Sequence, residues 1–297
     1  LFFRIDFRFK DTVECCSDDY DYFSHAYTIA IDKDFDYSNQ LTLDHPFIFT
    51  NEENGKIAPV GFPGSGILAS PFLFVGNLID NNLNTNSGNE ILNYKILLYS
   101  LSPIFYFFLS FVFIYKSLTK LRLNVNKYKL LVIISGSGIT YFAFERFSMT
   151  HVYEMFTISL LIWGCVSFYL EKKNIGSILI PLTLVLAFYV RMSNYYVFLI
   201  PLIIKKIINE KLGVTQKISR NIYFNISSLV SFFIYSILSV NIYGKIIFNP
   251  QDVYGTNITI SSAIGGNDNI FEFLQITFIN SLKILFGNEF GIFWVSP

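Results

Sequence analysis

The sequence predicts an all-α polytopic membrane protein: a bundle of transmembrane helices with an extracytoplasmic first loop that carries interfacial helices. The 297-residue chain is 52% hydrophobic and only 15% charged, with a mean hydropathy of +0.45, whereas soluble domains carry about 25% charged residues. Apolar segments near the roughly 20 residues that cross a bilayer recur along the chain. Basic residues cluster in alternate loops, a pattern typical of multi-pass proteins.

Acidic residues concentrate near the N-terminus. Residues 1–94 contain 14 of the 22 acidic residues but only five Lys or Arg, so the net charge of zero combines two regions of opposite charge. The sequence has no continuous basic face of the kind that binds nucleic acid, which excludes that partner. The three cysteines, two of them adjacent, fit neither a disulfide framework nor a metal-ligand spacing.

Residues 1–94 are predicted to form an outer loop with two helices along the membrane interface. The stretch "YDYFSHAYTIAI" at 20–31 places aromatic and apolar residues at helical spacing, which suits a helix at headgroup depth. The stretch "GILASPFLFVGNLID" at 66–80 is apolar but has only 15 residues. It is short for a span and suits an interfacial or re-entrant helix.

About six transmembrane helices are predicted over residues 95–243. Arg191 and Asn194 divide one long apolar stretch into two, because a charge near the bilayer centre costs about 3 kcal/mol. Residues 244–297 are expected to form an outer loop, an interfacial helix and the start of a further span. The six predicted spans are 96–115, 130–144, 152–170, 175–190, 195–208 and 222–243.

Basic loops predict the orientation. Lys and Arg cluster at 116–129, 172–173 and 205–220, and these alternate loops are expected to face the cytoplasm. Residue 1 is not Met, and both ends interrupt the hydrophobic pattern, so we expect further spans before and after this sequence. The predicted location is the plasma (inner) membrane, with the active site outside. The loops predicted to face outward are 1–94, 145–151, 191–194 and 244–272.

Three carboxylates stand among aromatic residues in "CSDDYDYF" at 16–23. Asp18, Asp19 and Asp21 fit a solvated outer loop. They also fit a general base that accepts a proton from a hydroxyl or an amine, with a carboxyl pKa raised by an aromatic, membrane-proximal setting. Their oxygen atoms would also suit Mg²⁺ or Mn²⁺. The residues alone leave these alternatives open, and no cofactor is certain.

Cationic candidates lie at the outer ends of the predicted spans. Arg146 and His151 occur in "ERFSMTHVYE", Arg191 follows a span, and Lys245 follows the last one. The arginines fit side chains that reach the lipid headgroups. They also fit guanidinium groups that bind a lipid phosphate through two parallel hydrogen bonds. His151 fits either an interfacial histidine or a group that orients a substrate.

The order of these motifs resembles that of the integral-membrane C-type glycosyltransferases, and most of all the protein O-mannosyltransferase and aminoarabinose-transferase group (glycosyltransferase family 39-like). Members carry D-E-x-x-Y in the first outer loop, which is similar to Asp18-Asp19 followed by Tyr22, although the second acid here is Asp. Further similar motifs are Thr150-His151, Arg191, "IFNPQDVYG" with "FN" instead of "FG" at 248–249, and "FGIFWVSP" at 290–297. The segment similar to the family's Gly- and Pro-rich motif contains Gly55, Gly61, Pro63, Gly64, Leu68, Ala69, Pro71 and Phe72.

The resemblance implies an inverting transfer of a sugar from a polyprenyl-phosphate donor to a lipid, protein or glycan acceptor. It implies that Asp18 or Asp19 is the catalytic base, with Asp18 aligned to the first acid of the motif. Arg191 is the foremost candidate for the phosphate. Further candidates for binding substrate or phosphate are Lys245, Arg146, His151 and Tyr22.

Two other functions fit a chain with many spans. A transporter or flippase for lipid-linked oligosaccharides would be expected to have charges at mid-membrane and repeated halves, whereas the charges here lie at the outer ends of spans. A polysaccharide polymerase usually carries its large outer loop between late spans, whereas the acidic loop here comes first. Both functions stay as alternatives.

Overall fold

The computed structural model describes residues 17–41, 48–51, 53–83, 93–192, 194–213 and 221–254. Of these residues, 74% are helical and 3% lie in strands, which agrees with the predicted helical class. The chain divides into two compact units, Leu1–Pro250 and Gln251–Pro297. The motif at 290–297 and the cysteines at 15 and 16 lie outside the described residues.

The first region contains two helices and a short hairpin. Helix α1 (Ser17–Tyr27) continues as a π-helical segment, Thr28–Asp32, so the helix expected over 20–31 forms. Strands β1 (Ile48–Thr50) and β2 (Ile57–Pro59) pair antiparallel, and the sequence analysis did not predict them. Helix α2 (Gly64–Leu83) extends the apolar stretch expected at 66–80 by a few residues at each end.

Most of the remaining described helices follow the predicted apolar segments, but the span expected over 195–208 is a 3₁₀ segment followed by a 13-residue helix that begins at Ile200. The split expected at Arg191 occurs, because the preceding helix ends at Val190 and Arg191 has an extended backbone with φ −156°. The elements are α3 (Tyr94–Lys120), α4 (Lys127–Ser135), α5 (Ile139–Phe144), α6 (His151–Glu171), α7 (Asn174–Val190), a 3₁₀ segment (Tyr195–Leu199), α8 (Ile200–Leu212), α9 (Ile222–Tyr243) and α10 (Gln251–Tyr254).

Three of the helices in the described part of the chain, α3, α6 and α9, are long and apolar enough to cross a membrane. Helix α7 is apolar but has 17 residues. The span expected over 130–144 is not one continuous helix, because α4 ends at Ser135 and α5 begins at Ile139. Glycines at 136 and 138 explain the break, since each Gly in a helix interior costs about 1 kcal/mol relative to Ala.

Helices α6 and α7 form an antiparallel hairpin. A two-residue link joins them, with Lys172 in the left-handed region at φ 57°. The helices approach so closely that a Cβ added to Gly176 would lie 2.5 Å from the backbone oxygen of Gly164. The beginning of α6 and the end of α7 therefore lie at the same end of the hairpin.

The core is rich in aromatic residues, and several of its buried tyrosine hydroxyls donate hydrogen bonds. One buried cluster joins residues of α1, α2, α3 and α6, and a second joins α6, α7 and α8. Tyr106 donates a hydrogen bond to the Leu68 carbonyl at 3.0 Å, and Tyr189 donates to the Tyr235 carbonyl at 2.6 Å. A buried Tyr needs such a partner for its hydroxyl, so these bonds also fix how the helices pack.

Candidate functional site

Tyr99 on α3 brings two distant parts of the chain together. Its ring makes edge contacts with Phe23 of α1 at 5.1 Å and with Phe147 of the α5–α6 loop at 6.0 Å, between ring centroids. Asp19 lies one helical turn before Phe23, and Arg146 directly precedes Phe147. Residues four apart share a helix face, so this aromatic packing places Asp19 opposite Arg146.

Asp19 and Arg146 form a largely buried ion pair. Arg146 Nη2 donates to Asp19 Oδ2 at 3.1 Å, and the two side chains are 24% and 5% exposed for Arg146 and Asp19. Burial raises the pKa of Asp19, while the hydrogen bond and charge of Arg146 act in the opposite direction and only partly offset it. The result is a carboxylate that is a stronger base than an exposed aspartate.

The three aspartates of the acidic motif have different surroundings. Asp18 is exposed, whereas Asp21 is buried and accepts a hydrogen bond from the Gly61 N–H at 3.1 Å. Tyr22 packs against the same backbone, with its Cε1 2.9 Å from a Cβ added to Gly61. Among the described residues, no three His, Cys, Asp or Glu side chains form a group that could hold a metal ion. The aspartates therefore do not converge as the Mg²⁺ or Mn²⁺ site that the sequence allowed.

His25 connects α1 to the segment that follows the hairpin. Its Nε2 lies 2.7 Å from the Gly61 carbonyl, and its Nδ1 lies 2.7 Å from the Tyr37 hydroxyl. A carbonyl only accepts, so Nε2 carries the hydrogen, and Nδ1 of the neutral ring accepts from Tyr37. Burial lowers the pKa of His25 to about 4. The Gly61 peptide is thus held by His25 on its carbonyl and by Asp21 on its N–H.

A second ion pair lies at the same end of α6. Arg191 Nη1 is 3.6 Å from Glu154 Oε2, with side-chain exposures of 49% and 15%. The Tyr196 hydroxyl donates to Glu154 Oε1 at 2.9 Å. Glu154 stands in the first turn of α6, where the helix dipole favours a negative charge. The antiparallel α6–α7 hairpin accounts for this meeting, because it places the end of α7 beside the start of α6.

His151 lies near both ion pairs. It packs on Phe142 with a ring-centroid distance of 4.1 Å, and the charges of Arg191, Glu154 and Arg146 all act on it. The structure therefore brings Asp19, Arg146, His151 and Arg191 to one end of the helix bundle. These are four of the residues that the sequence singled out.

Lys245 lies on a different surface. It follows the end of α9, is exposed, and places its Nζ 5.7 Å from the ring centre of Phe49 in the hairpin. Its carbonyl accepts a hydrogen bond from Ser239 at 3.1 Å. Among the contacts of the described residues, none joins Lys245 to the two ion pairs.

Sequence reasoning missed Glu154, Tyr196 and His25 as members of the site. Glu154 had a local signal, because it follows His151 by three residues and both therefore lie on one face of a helix. Tyr196 and His25 had none, since their partners lie 42 and 36 residues away. Only the packing of the helices reveals those contacts.

The site offers two chemical capacities. A buried carboxylate with a raised pKa can accept a proton, and a half-exposed guanidinium can bind an anion. Comparisons with models of known protein families, with characterised proteins and with solved structures found no match to this chain.

Proposed function

We propose that this protein is a multi-pass glycosyltransferase that moves a sugar from a polyprenyl-phosphate donor to an acceptor on the extracytoplasmic face. The observation that carries the proposal is the buried Asp19–Arg146 pair, whose atoms are 3.1 Å apart. Arg191, which follows α7, lies at the same end of α6. A base and a separate cation are the two groups that such a transfer requires. In this proposal the region that contains α1 and α2 lies outside the membrane.

In the proposed step, Asp19 removes the proton from an acceptor hydroxyl or amine while the acceptor atom attacks the anomeric carbon. The bond between that carbon and the phosphate oxygen breaks, and polyprenyl phosphate leaves with the bonding electron pair. Attack opposite to the leaving group inverts the anomeric carbon. Arg191 stabilises the negative charge that develops on the phosphate.

The geometry favours Asp19 over Asp18 as the base. Asp18 is exposed, so its carboxylate faces solvent rather than the packed interior. Asp19 is buried, and its ion pair with Arg146 fixes the direction of its carboxylate. In this proposal Arg146 positions the base, and His151, which is near both ion pairs, orients the donor.

The test is a transfer assay on the full-length protein with a lipid-linked sugar donor. Asp19→Asn is expected to lower the rate by about 10²- to 10⁴-fold, the usual contribution of a general base. Asp18→Asn is the matched control and is expected to keep most of the activity. Elution from size-exclusion chromatography and the thermal unfolding temperature in detergent check that both variants fold.

Because Asp19→Asn removes the carboxylate that accepts from Arg146, the double variant Asp19→Asn/Arg146→Gln is measured as well. The Asn and Gln side chains of this double variant are both uncharged, so it is expected to fold stably but remain inactive. Near-normal transfer by a folded Asp19→Asn variant would show that Asp19 is not the base.

A further inference from the structure

We propose that Glu154 is a resident counter-ion that occupies Arg191 until the donor's phosphate displaces it, and that it returns when polyprenyl phosphate leaves. This inference rests on the proposed function and deepens it. It assigns a role to a residue that the transfer chemistry does not use, and it concerns the release of product rather than the chemical step.

The first step of the argument compares the two ion pairs. Arg146 and Asp19 are within hydrogen-bond distance at 3.1 Å, and Asp19 is only 5% exposed. Arg191 and Glu154 are 3.6 Å apart, and Arg191 is 49% exposed. Donor and acceptor atoms of a good N–H···O hydrogen bond lie at about 2.7–3.2 Å, so the second pair is electrostatic and loose. Its guanidinium is the one that can exchange partners.

The second step concerns what holds Glu154 when Arg191 is occupied. Tyr196 donates to Glu154 Oε1, whereas Arg191 approaches Oε2. The two partners therefore use different oxygens, and the Tyr196 bond survives when Arg191 turns to a phosphate. Glu154 also stands in the first turn of α6, where the helix dipole stabilises its negative charge. Losing Arg191 therefore does not leave a buried charge without a partner.

The consequence is a competition on Arg191. Every phosphate that binds must replace the carboxylate, so Glu154 weakens the binding of both donor and product. When product release limits the rate, weaker binding of the product increases turnover. The carboxylate thus keeps Arg191 oriented and available without allowing polyprenyl phosphate to remain bound.

The experiment measures the affinity of the full-length protein in detergent or lipid nanodiscs for a polyprenyl monophosphate. Glu154→Gln removes the competing charge but keeps an oxygen for Tyr196, and it is expected to tighten binding by about two- to fivefold, the range of a partly exposed ion pair. Tyr196→Phe frees Glu154 to pair with Arg191 more closely, and it is expected to weaken binding. The two variants are thus expected to change the affinity in opposite directions, whereas general damage to the fold would weaken binding in both.

The matched control is Glu171→Gln at the other end of α6. Glu171 also pairs with a cation, Lys120, at 2.8 Å, and its substitution is expected to leave the affinity unchanged. A polyprenyl alcohol, which lacks the phosphate, serves as a second probe. Its binding is expected not to depend on Glu154, and equal tightening for the alcohol would overturn the counter-ion role.

The outcomes distinguish this inference from the proposed function. If the wild type binds the monophosphate, Arg191→Gln weakens that binding and Glu154→Gln changes nothing, the counter-ion role is overturned and the transferase proposal stands. If the wild type does not bind the monophosphate, both are overturned. The role is supported if Glu154→Gln binds the monophosphate more tightly than the wild type does and if this increase in affinity is absent when Glu154→Gln is combined with Arg191→Gln.

Discussion

Asp21 and His25 are buried titratable groups one turn apart on α1, and burial shifts their pKa values in opposite directions. It raises the pKa of Asp21 from 3.8 to about 7 and lowers that of His25 from 6.5 to about 4. Between pH 3.8 and about 7 the folded state holds a proton on Asp21 that the unfolded state releases, so the Asp21 contribution to stability falls as pH rises. The His25 contribution falls as pH decreases from 6.5 to about 4.

We expect Asp21→Asn to remove the decrease in stability that Asp21 causes as pH rises. The amide oxygen still accepts from the Gly61 N–H but carries no charge at any pH. The variant should therefore gain stability relative to the wild type, on the order of 3 kcal/mol, as pH rises from about 5 to about 8. Thermal unfolding in detergent across this range measures the difference.

The exposed neighbour Asp18 provides the control for this pH experiment. Asp18→Asn keeps the buried Asp21 carboxyl, so its stability should still fall as pH rises, although loss of the Asp18 charge removes one of the causes that raise the Asp21 pKa. Parallel curves for Asp21→Asn and the wild type would contradict the assignment of a raised pKa to Asp21. The acidic motif thus contains three aspartates with different surroundings: Asp18 is exposed, Asp19 pairs with Arg146, and Asp21 bonds the Gly61 N–H.

At the scale of elements, the position of the candidate base depends on how α1 packs on α2. Gly66 allows this contact, because a Cβ added there would lie 2.5 Å from His25 Cβ and 2.8 Å from the Ala26 nitrogen. The latter is backbone and cannot move without displacing the helix. A shift of α1 moves Asp19 away from Arg146, which stands on a different element.

Gly66→Ala is therefore expected to lower both stability and transfer activity. Steric overlap in a packed interior costs about 1–3 kcal/mol, and the added helix propensity of Ala does not offset it. Gly164→Ala is the matched control, because the nearest atom to an added Cβ there is at 3.5 Å, an ordinary contact. A Gly66→Ala protein with unchanged unfolding temperature and activity would show that α1 is not held in this way.

At the scale of the whole molecule, the proposal requires the α1–α2 region and the α3–α4 loop to lie on opposite sides of the membrane. We expect a Cys introduced at exposed Asp36 to react with an impermeant thiol reagent in intact cells. A Cys at exposed Lys127 should react only after permeabilisation. The background is a chain with its three native cysteines replaced. The basic loop near Lys127 carries the charge that is expected to set this orientation.

The reverse labelling pattern, or labelling of both positions from outside, would overturn the topology. It would also overturn the transferase proposal, because Asp19 would then not face an extracytoplasmic donor. If only the Cys introduced at Asp36 is labelled in intact cells, the candidate site lies on the side of the membrane that the proposal requires.

The sequence predicted much of the helical framework but less of the site. Hydrophobic segments and the charge at Arg191 located most helix boundaries, because each depends on local composition. The hairpin Ile48–Thr50 with Ile57–Pro59 was not predicted, since three-residue strands carry little periodicity. The break between α4 and α5 was also missed, although its two glycines are visible in the sequence. For the site, the acidic motif and the arginines were found, but their pairing was not.

By itself, the sequence determined that apolar helices dominate the described chain and that acids and arginines stand near helix ends, because hydropathy and charge are properties of local residues. Only the tertiary structure decided that Asp19 rather than Asp18 is buried against Arg146, and that Glu154 pairs with Arg191. The physical reason is that burial and charge pairing depend on contacts between residues such as 19 and 146, which lie 127 positions apart. Aromatic packing and close helix contacts bring them together.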